Sequence, residues 1–240
     1  PAGRSCTDTL LVRRWWIDLL GRPPTLGEWD AAVAAIGRGE HQRVVDSLLD
    51  SAEFPQRLAD ELVGWCEAAS DGRQASERWR RALAGALAED DHLSPLVRRM
   101  LLVAPPDDAA SAPSDPLADF HLLAAEPRSR VELITQSWMG VRLACARCHD
   151  HPLDRWTQAD YFGMAACWAG VSVREGQVRR LAAATTTDLR TGRDAVPALP
   201  ILTLGTEVQH EPSAMIVHRI PQPLTAETAD AAFVEWMLSA

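Results

Sequence analysis

The sequence predicts a mainly α-helical protein that ends in a less regular, partly extended segment. Two observations carry this expectation. Apolar residues recur at helical spacing, with capping and stop signals, through the first two-thirds of the chain, and beyond Gly170 the texture shifts to β-branched residues, Pro and Thr. With 240 residues and 47% apolar content, the chain has material for one large domain or two small ones.

Taken in order, Leu11, Val12, Trp15, Trp16, Leu19 and Leu20 form one helical stripe over Asp8 to Leu20, stopped by Gly21 and Pro23-Pro24. Thr25 with Glu28 three residues on reads as a capping box opening a second helix through Trp29, Val33 and Ile36. Val44 to Leu49 predict a third helix, Leu58 to Trp65 a fourth and Trp79 to Leu87 a fifth. Ser94-Pro95 predicts a sixth, with Pro at the first helical position. Residues 104 to 116 (APPDDAASAPSDP) lack any large apolar side chain and read as a linker or surface loop. From Asp115-Pro116 helical patterning resumes to about Leu143 with a break at Pro127, and Thr157 with Asp160 caps a further helix through Tyr161, Met164 and Trp168. Val196 to Leu204 and Ile216 to Ile220 predict extended segments or short strands, and Thr228 to Leu238 a last helix. The organisation expected is therefore an N-terminal helical region over 1–103, the linker over 104–116, a chemistry-bearing region over 117–170 and a C-terminal extended segment with its helix over 171–240.

Charge excludes several classes of function. The 24 basic residues are all Arg, so mechanisms that need a lysine amine are absent; no Asn is present, so there is no N-glycosylation sequon. A net charge of −9 argues against a nucleic-acid or anionic-membrane surface as the main partner. Met164 to Val173, the longest small-or-apolar stretch, is too short to span a bilayer, so no transmembrane segment is expected. No signal-peptide pattern is read from Pro1 onward, and a first residue other than Met reads as processing or a partial chain and leaves export open.

One motif carries specific chemistry: Cys145-Ala146-Arg147-Cys148-His149, C-x-x-C-H, the spacing that attaches haem c covalently. With five Cys and seven His in the chain, chance supplies it about 0.3% of the time. On a helical turn i, i+3 and i+4 share a face, so two thiols reach the porphyrin vinyl groups while the following imidazole reaches iron. Val131, Ile134, Trp138 and Val141 form a stripe that Cys145 extends, so the attachment face is expected to turn toward the core, with a porphyrin against Trp138 and Val141. A zinc site using Cys145, Cys148 and His149 or His151 competes, but lacks a second ligand pair; a Cys145–Cys148 redox disulfide competes, but lacks a strand-to-helix setting.

The segment Gly140 to Ala169 (GVRLACARCHDHPLDRWTQADYFGMAACWA) resembles the planctomycete-type cytochrome domain, domain of unknown function 1549. Val12 to Thr25 and Arg43 to Phe54 resemble the opening helices of the same family, and the likeness spans most of residues 8 to 170. Leu153 stands where the family usually has Phe; Phe162, Met164, Cys167 and Trp168 also depart from it. Ala231 to Ala240 looks like the start of the companion domain that often follows, which implies a fragment or an abbreviated member. The resemblance implies an exported, largely helical, cytochrome c-like protein with one C-x-x-C-H, periplasmic or otherwise outside the cytoplasm.

The expectation is thus a monohaem c-type electron carrier, a domain or subunit served by a redox partner protein or larger complex, with His149 as the proximal iron ligand. The alternative is a zinc- or disulfide-stabilised helical interaction module without redox turnover; a haem enzyme would need an open distal position. For the distal ligand, His121 and Met164 are candidates, with Met139, Met100, His92, His210 and His218 behind them. His151 and Asp154 fit supporting hydrogen bonds, Asp150 shares that role, and Arg142, Arg147 and Arg155 could pair with haem propionates. Cys6, Cys66 and Cys167 allow either one disulfide with one free thiol or three single thiols.

Overall fold

A computed structural model describes residues 8–70, 72–89, 92–103, 115–181, 184–199 and 228–239. The chain divides into two compact units, Pro1–Gly64 with Arg80–Asp91, and Trp65–Trp79 with His92–Ala240. Residues 104–114 of the expected linker, and the expected extended segments over 200–204 and 216–220, lie outside the described residues.

The first unit is helical throughout. It contains α1 (Asp8–Leu20), α2 (Leu26–Gly37), α3 (His41–Leu49), the larger part of α4 (Glu53–Ala69) and most of α5 (Glu77–Glu89). Val12, Trp16 and Leu20 of α1 pack with Ala32, Ala35 and Ile36 of α2 and Val44 and Leu48 of α3, the stripes expected from their spacing. The capping box is present: the Glu28 amide donates to Thr25 Oγ1 at 3.3 Å and the Thr25 amide to Glu28 Oε2 at 2.7 Å. Arg22 then ties the α1–α2 corner by donating to both Glu28 and Glu53, which holds the Glu28 carboxyl well below the usual carboxylate range.

The second unit is also mainly helical, with two short hairpins. The chain passes from α6 (Leu93–Leu101) to a 3₁₀ helix (Pro116–Leu123), α7 (Pro127–Trp138), a second 3₁₀ helix (Leu143–Arg147) and α8 (Gln158–Cys167). Strands β1 (Val171–Arg174) and β2 (Gln177–Arg180), then β3 (Thr187–Asp188) and β4 (Arg193–Asp194), precede α9 (Ala229–Ser239). Both strand pairs are antiparallel, and Glu175-Gly176, each at positive φ, makes the first turn. Neither hairpin was expected; of the expected extended segments only Val196 to Leu199 is described, and it has no regular structure. Pro95 is also displaced from its expected place, because α6 begins at Leu93 behind His92 as its N-cap.

A chain of aromatic rings fills the interior of the second unit. Trp79, Phe120, His121, Trp168, Phe233 and Trp236 follow one another at centroid separations of 5.8, 5.6, 5.8, 5.4 and 5.5 Å. Fully burying each large apolar side chain contributes about 1.5–3 kcal/mol, so this chain and its aliphatic neighbours hold α6, α8 and α9 together. Arg130 is buried among them. Its guanidinium donates to the carbonyls of Trp168 (3.1 Å), Val171 (2.9 Å) and Ala125 (3.0 Å), completing the C-terminal end of α8 where the helix dipole is negative. Burial pulls its pKa down to about 9. Beyond β4 the chain crosses α8 at Gly163, where the Ala198 amide donates to the Gly163 carbonyl at 3.1 Å. No described helix is long and apolar enough to cross a membrane.

Candidate functional site

The C-x-x-C-H stands on a separate turn, not on a continuation of α7. Gly140 at φ 67° ends that helix after Trp138, and the Val141 amide folds back to the Thr135 carbonyl at 2.9 Å. The stripe from Val131 therefore stops before Cys145, which overturns the expected core-facing placement: Cys145, Cys148 and His149 are all exposed, while Leu143 and Ala146 of the same turn are buried. The spacing still does its work. In a 3₁₀ turn residues three apart lie above one another, and the Cys148 and His149 amides both donate to the Cys145 carbonyl, at 3.3 and 3.4 Å.

Both motif cysteines are free thiols. His149 is oriented by its neighbour's backbone: a carbonyl only accepts, so the 2.8 Å contact of Nδ1 with the Asp150 carbonyl puts the ring proton on Nδ1 and leaves the lone pair on Nε2. The supporting carboxylates act elsewhere. Asp150 accepts the Gln158 amide at the start of α8 (2.8 Å), and Asp154 accepts the Arg155 amide (2.7 Å) and the Trp156 indole N–H (2.9 Å). Asp154 thus closes the 151–156 loop and does not bond the His149 ring. His151 closes it too, its amide donating to the Trp156 carbonyl (2.7 Å) and its Nδ1 accepting the Leu153 amide (3.3 Å). The Arg155 guanidinium lies 5.1 Å from the Trp156 ring centroid, and Leu153 projects almost fully into solvent.

Arg147 is not available for a propionate. It donates from Nε and Nη2 to Glu132 Oε1 of α7 at 3.1 and 2.6 Å, and the Tyr161 hydroxyl of α8 donates to the same oxygen at 2.6 Å. Tyr161 is held protonated above its ordinary range, first by burial and then by the Glu132 charge. Neither Glu132 nor Tyr161 was a candidate site residue from sequence; Tyr161 was read only as part of the helix that follows the motif. Their one advance signal was that Tyr161 is the chain's single Tyr.

The distal candidates lie inside the second unit. His121 is wholly buried; its Nε2–H donates to the Leu101 carbonyl at 2.9 Å, its Nδ1 has no partner, and burial beside the Arg130 cation brings its pKa down to about 3. Met164 is fully buried in α8 and Met100 in α6, whereas Met139 is half-buried and His92 exposed. Neither His121 nor Met164 reaches the exposed face that carries the motif, and His210 and His218 lie outside the described residues. Cys66 and Cys167 are buried unpaired thiols, pushed up to about 11 and about 12 chiefly by desolvation, and Cys6 lies outside the described residues. Among the described residues no three His, Cys, Asp or Glu side chains form a metal-binding group, so the zinc alternative has no assembled ligand set there.

The model of the family described as PSCyt2, protein of unknown function (DUF1549), matches residues 2–173. The chain belongs to this family. In DUF1549 terms the match takes in the first unit, α7, the C-x-x-C-H turn and α8, and ends within β1. No curated protein and no solved structure matches the chain.

Proposed function

We propose that this DUF1549 protein is an exported monohaem c-type cytochrome domain that carries single electrons as part of a larger assembly. The observation that carries the reading is the 2.8 Å contact of His149 Nδ1 with the Asp150 carbonyl, which occupies Nδ1 and reserves Nε2 for an iron, beside two exposed, unpaired thiols three residues apart. The donor set therefore fits haem c. Cys145 and Cys148 would hold it through thioether bonds, each thiol adding its S–H across one vinyl group, and His149 would be the proximal ligand. The group itself supplies one-electron Fe(III)/Fe(II) chemistry when bound.

The chain's own residues do the rest. The Asp150 carbonyl orients the imidazole, while the Asp150 carboxylate and the loop closed by His151, Asp154 and Trp156 fix the strand of chain on which His149 sits. His121 and Met164, both buried, are kept only as candidates for a sixth ligand that rearrangement within the second unit would have to bring to the motif.

The test is expression in a host that matures c-type cytochromes. The purified protein is expected to be red, with a Soret band and a mass gain of one haem that survives denaturation, and Cys148→Ser is expected to lose two-point attachment. A colourless protein with stoichiometric zinc, or Cys148→Ser with an unchanged two-thioether spectrum, would overturn the proposal. Carbon monoxide binding to the reduced form without ligand displacement would move the reading from carrier to enzyme.

A further inference from the structure

We propose that Glu132 is the positioning residue of the C-x-x-C-H turn, fixing through Arg147 the spacing at which two thiols and one imidazole are presented. This rests on the attachment reading above. Arg147 occupies one of the two places between the cysteines, so whatever grips its side chain acts on the span from Cys145 to Cys148. Four hydrogen bonds converge there: Arg147 Nη2 and Nε to Glu132 Oε1 (2.6 and 3.1 Å), the Tyr161 hydroxyl to the same oxygen (2.6 Å), and Arg147 Nε to the Tyr161 hydroxyl oxygen (3.2 Å).

At the C-terminal end of the turn the bonds of the Cys148 and His149 amides to the Cys145 carbonyl, 3.3 and 3.4 Å, are long against the common value of about 2.9–3.0 Å, so these backbone bonds hold Cys148 and His149 loosely and a side-chain grip adds to them. The Glu132 side chain is 14% exposed, which shields the carboxylate, while that of Arg147, 39% exposed, stays partly in water. A second tether acts on the backbone at the same residue, where Gln158 Nε2 donates to the Arg147 carbonyl at 3.2 Å. Glu132 comes from α7, and Tyr161 and Gln158 from α8, so the turn is strung between two helices with its cysteines facing out. Glu132 accepts both across to α8, from Tyr161, and into the motif, from Arg147, so its one oxygen couples the turn to the helix beside it.

The experiment uses the full chain with Glu132→Ala, Glu132→Gln and Tyr161→Phe, and reads two quantities. The first is amide hydrogen exchange in the haem-free protein, comparing Cys148 and His149 with Ala165 and Ala166 of α8 at matched global stability. The second is the number of thioether bonds after maturation, from mass and from the absorption of the reduced, pyridine-treated pigment. Glu132→Ala is expected to accelerate exchange at Cys148 and His149 at least about tenfold while α8 amides hold, and to raise the share of singly attached haem. Glu132→Gln, which keeps the shape and neutral hydrogen bonds, is expected to recover part of both, and Tyr161→Phe to change them less, because the Glu132–Arg147 pair remains. Equal acceleration of turn and helices, with two-point attachment unchanged, would overturn the proposal; should Glu132→Ala not fold, the other two variants decide by the same comparison. A wild type without pigment would sink the haem reading by itself, while the exchange measurement would still support or overturn the role of Glu132.

Discussion

Acidification acts on the interior of the second unit at one atom, Nδ1 of His121. The ring is neutral with its proton on Nε2, given to the Leu101 carbonyl at 2.9 Å, and a second proton would sit on a nitrogen with no acceptor, near the Arg130 cation. The folded pKa of about 3, against 6.5 for an ordinary His, means the unfolded chain takes up this proton first as pH falls. The stability this neutral ring contributes is therefore fully present above 6.5 and is lost as pH falls from there toward 3. Within that window the slope is about 1.4 kcal/mol per pH unit, which gives about 2–3 kcal/mol between neutrality and about pH 4.5. Against a typical total of about 5–15 kcal/mol this is a large fraction. The assay is urea unfolding at a series of pH values for wild type and His121→Phe. The substitution forfeits the Leu101 bond at every pH, so that cost cancels in the slope, and the wild type is expected to lose about 2–3 kcal/mol more than the variant over the acid arm. Parallel slopes would refute the reasoning, since they would mean that the imidazole finds an acceptor or water when it is protonated.

Two further substitutions probe the elements around the site. Gly163→Ala would place its Cβ 2.9 Å from Ala198 Cβ and 3.1 Å from the Ala198 carbonyl oxygen, so it is expected to destabilise by about 1–2 kcal/mol despite the better helix former, with Ala198→Gly restoring most of the loss in a double-mutant cycle. Asp230→Ala would take the facing carboxylate from Arg180, whose side chain is 9% exposed and donates to Asp230 Oδ1 at 2.8 Å; thermal unfolding is expected to show a loss of about 3–5 kcal/mol, while Arg180→Met with Asp230→Leu is expected to come close to wild type.

Local chemistry was readable in the sequence, and phase across a break was not. Both capping boxes, Thr25 with Glu28 and Thr157 with Asp160, are present because each is made by residues three apart, with no tertiary contact required. The error at Cys145 came from carrying a helical stripe through Gly140: once that residue takes φ 67° the helical phase resets, and a cysteine that periodicity would bury turns outward. Arg130 and Glu132 were invisible for a different reason. A charged residue on a helix of mixed polarity gives no periodic signal, and the groups that satisfy these two lie up to 41 and 29 residues away in sequence. The hairpin at Glu175-Gly176 had a local signal, a Gly at a two-residue turn between Val-Ser-Val-Arg and Gln-Val-Arg-Arg, but the Arg-rich second strand masked its alternation.

The outward placement of the motif bears on how a haem would behave there. The interior of the second unit is filled by its own rings, from Trp79 to Trp236, and Cys145, Cys148 and His149 stand outside it. On the proposed reading, attachment would add to that scaffold and stabilise it through the linkage between binding and folding. The same exposure sets the direction of the reduction potential. Water next to the iron favours the more highly charged ferric form, so a haem on the face of Cys145, Cys148 and His149 should have a lower potential than one buried against Trp138 and Val141. The basic Nε2 that the Asp150 carbonyl leaves on His149 acts in the same direction, because a stronger donor also stabilises the oxidised ion. Both influences arise from the backbone geometry that Gly140 and Asp150 impose, which makes the turn, rather than the helices beside it, the part of this chain that would set its electron chemistry.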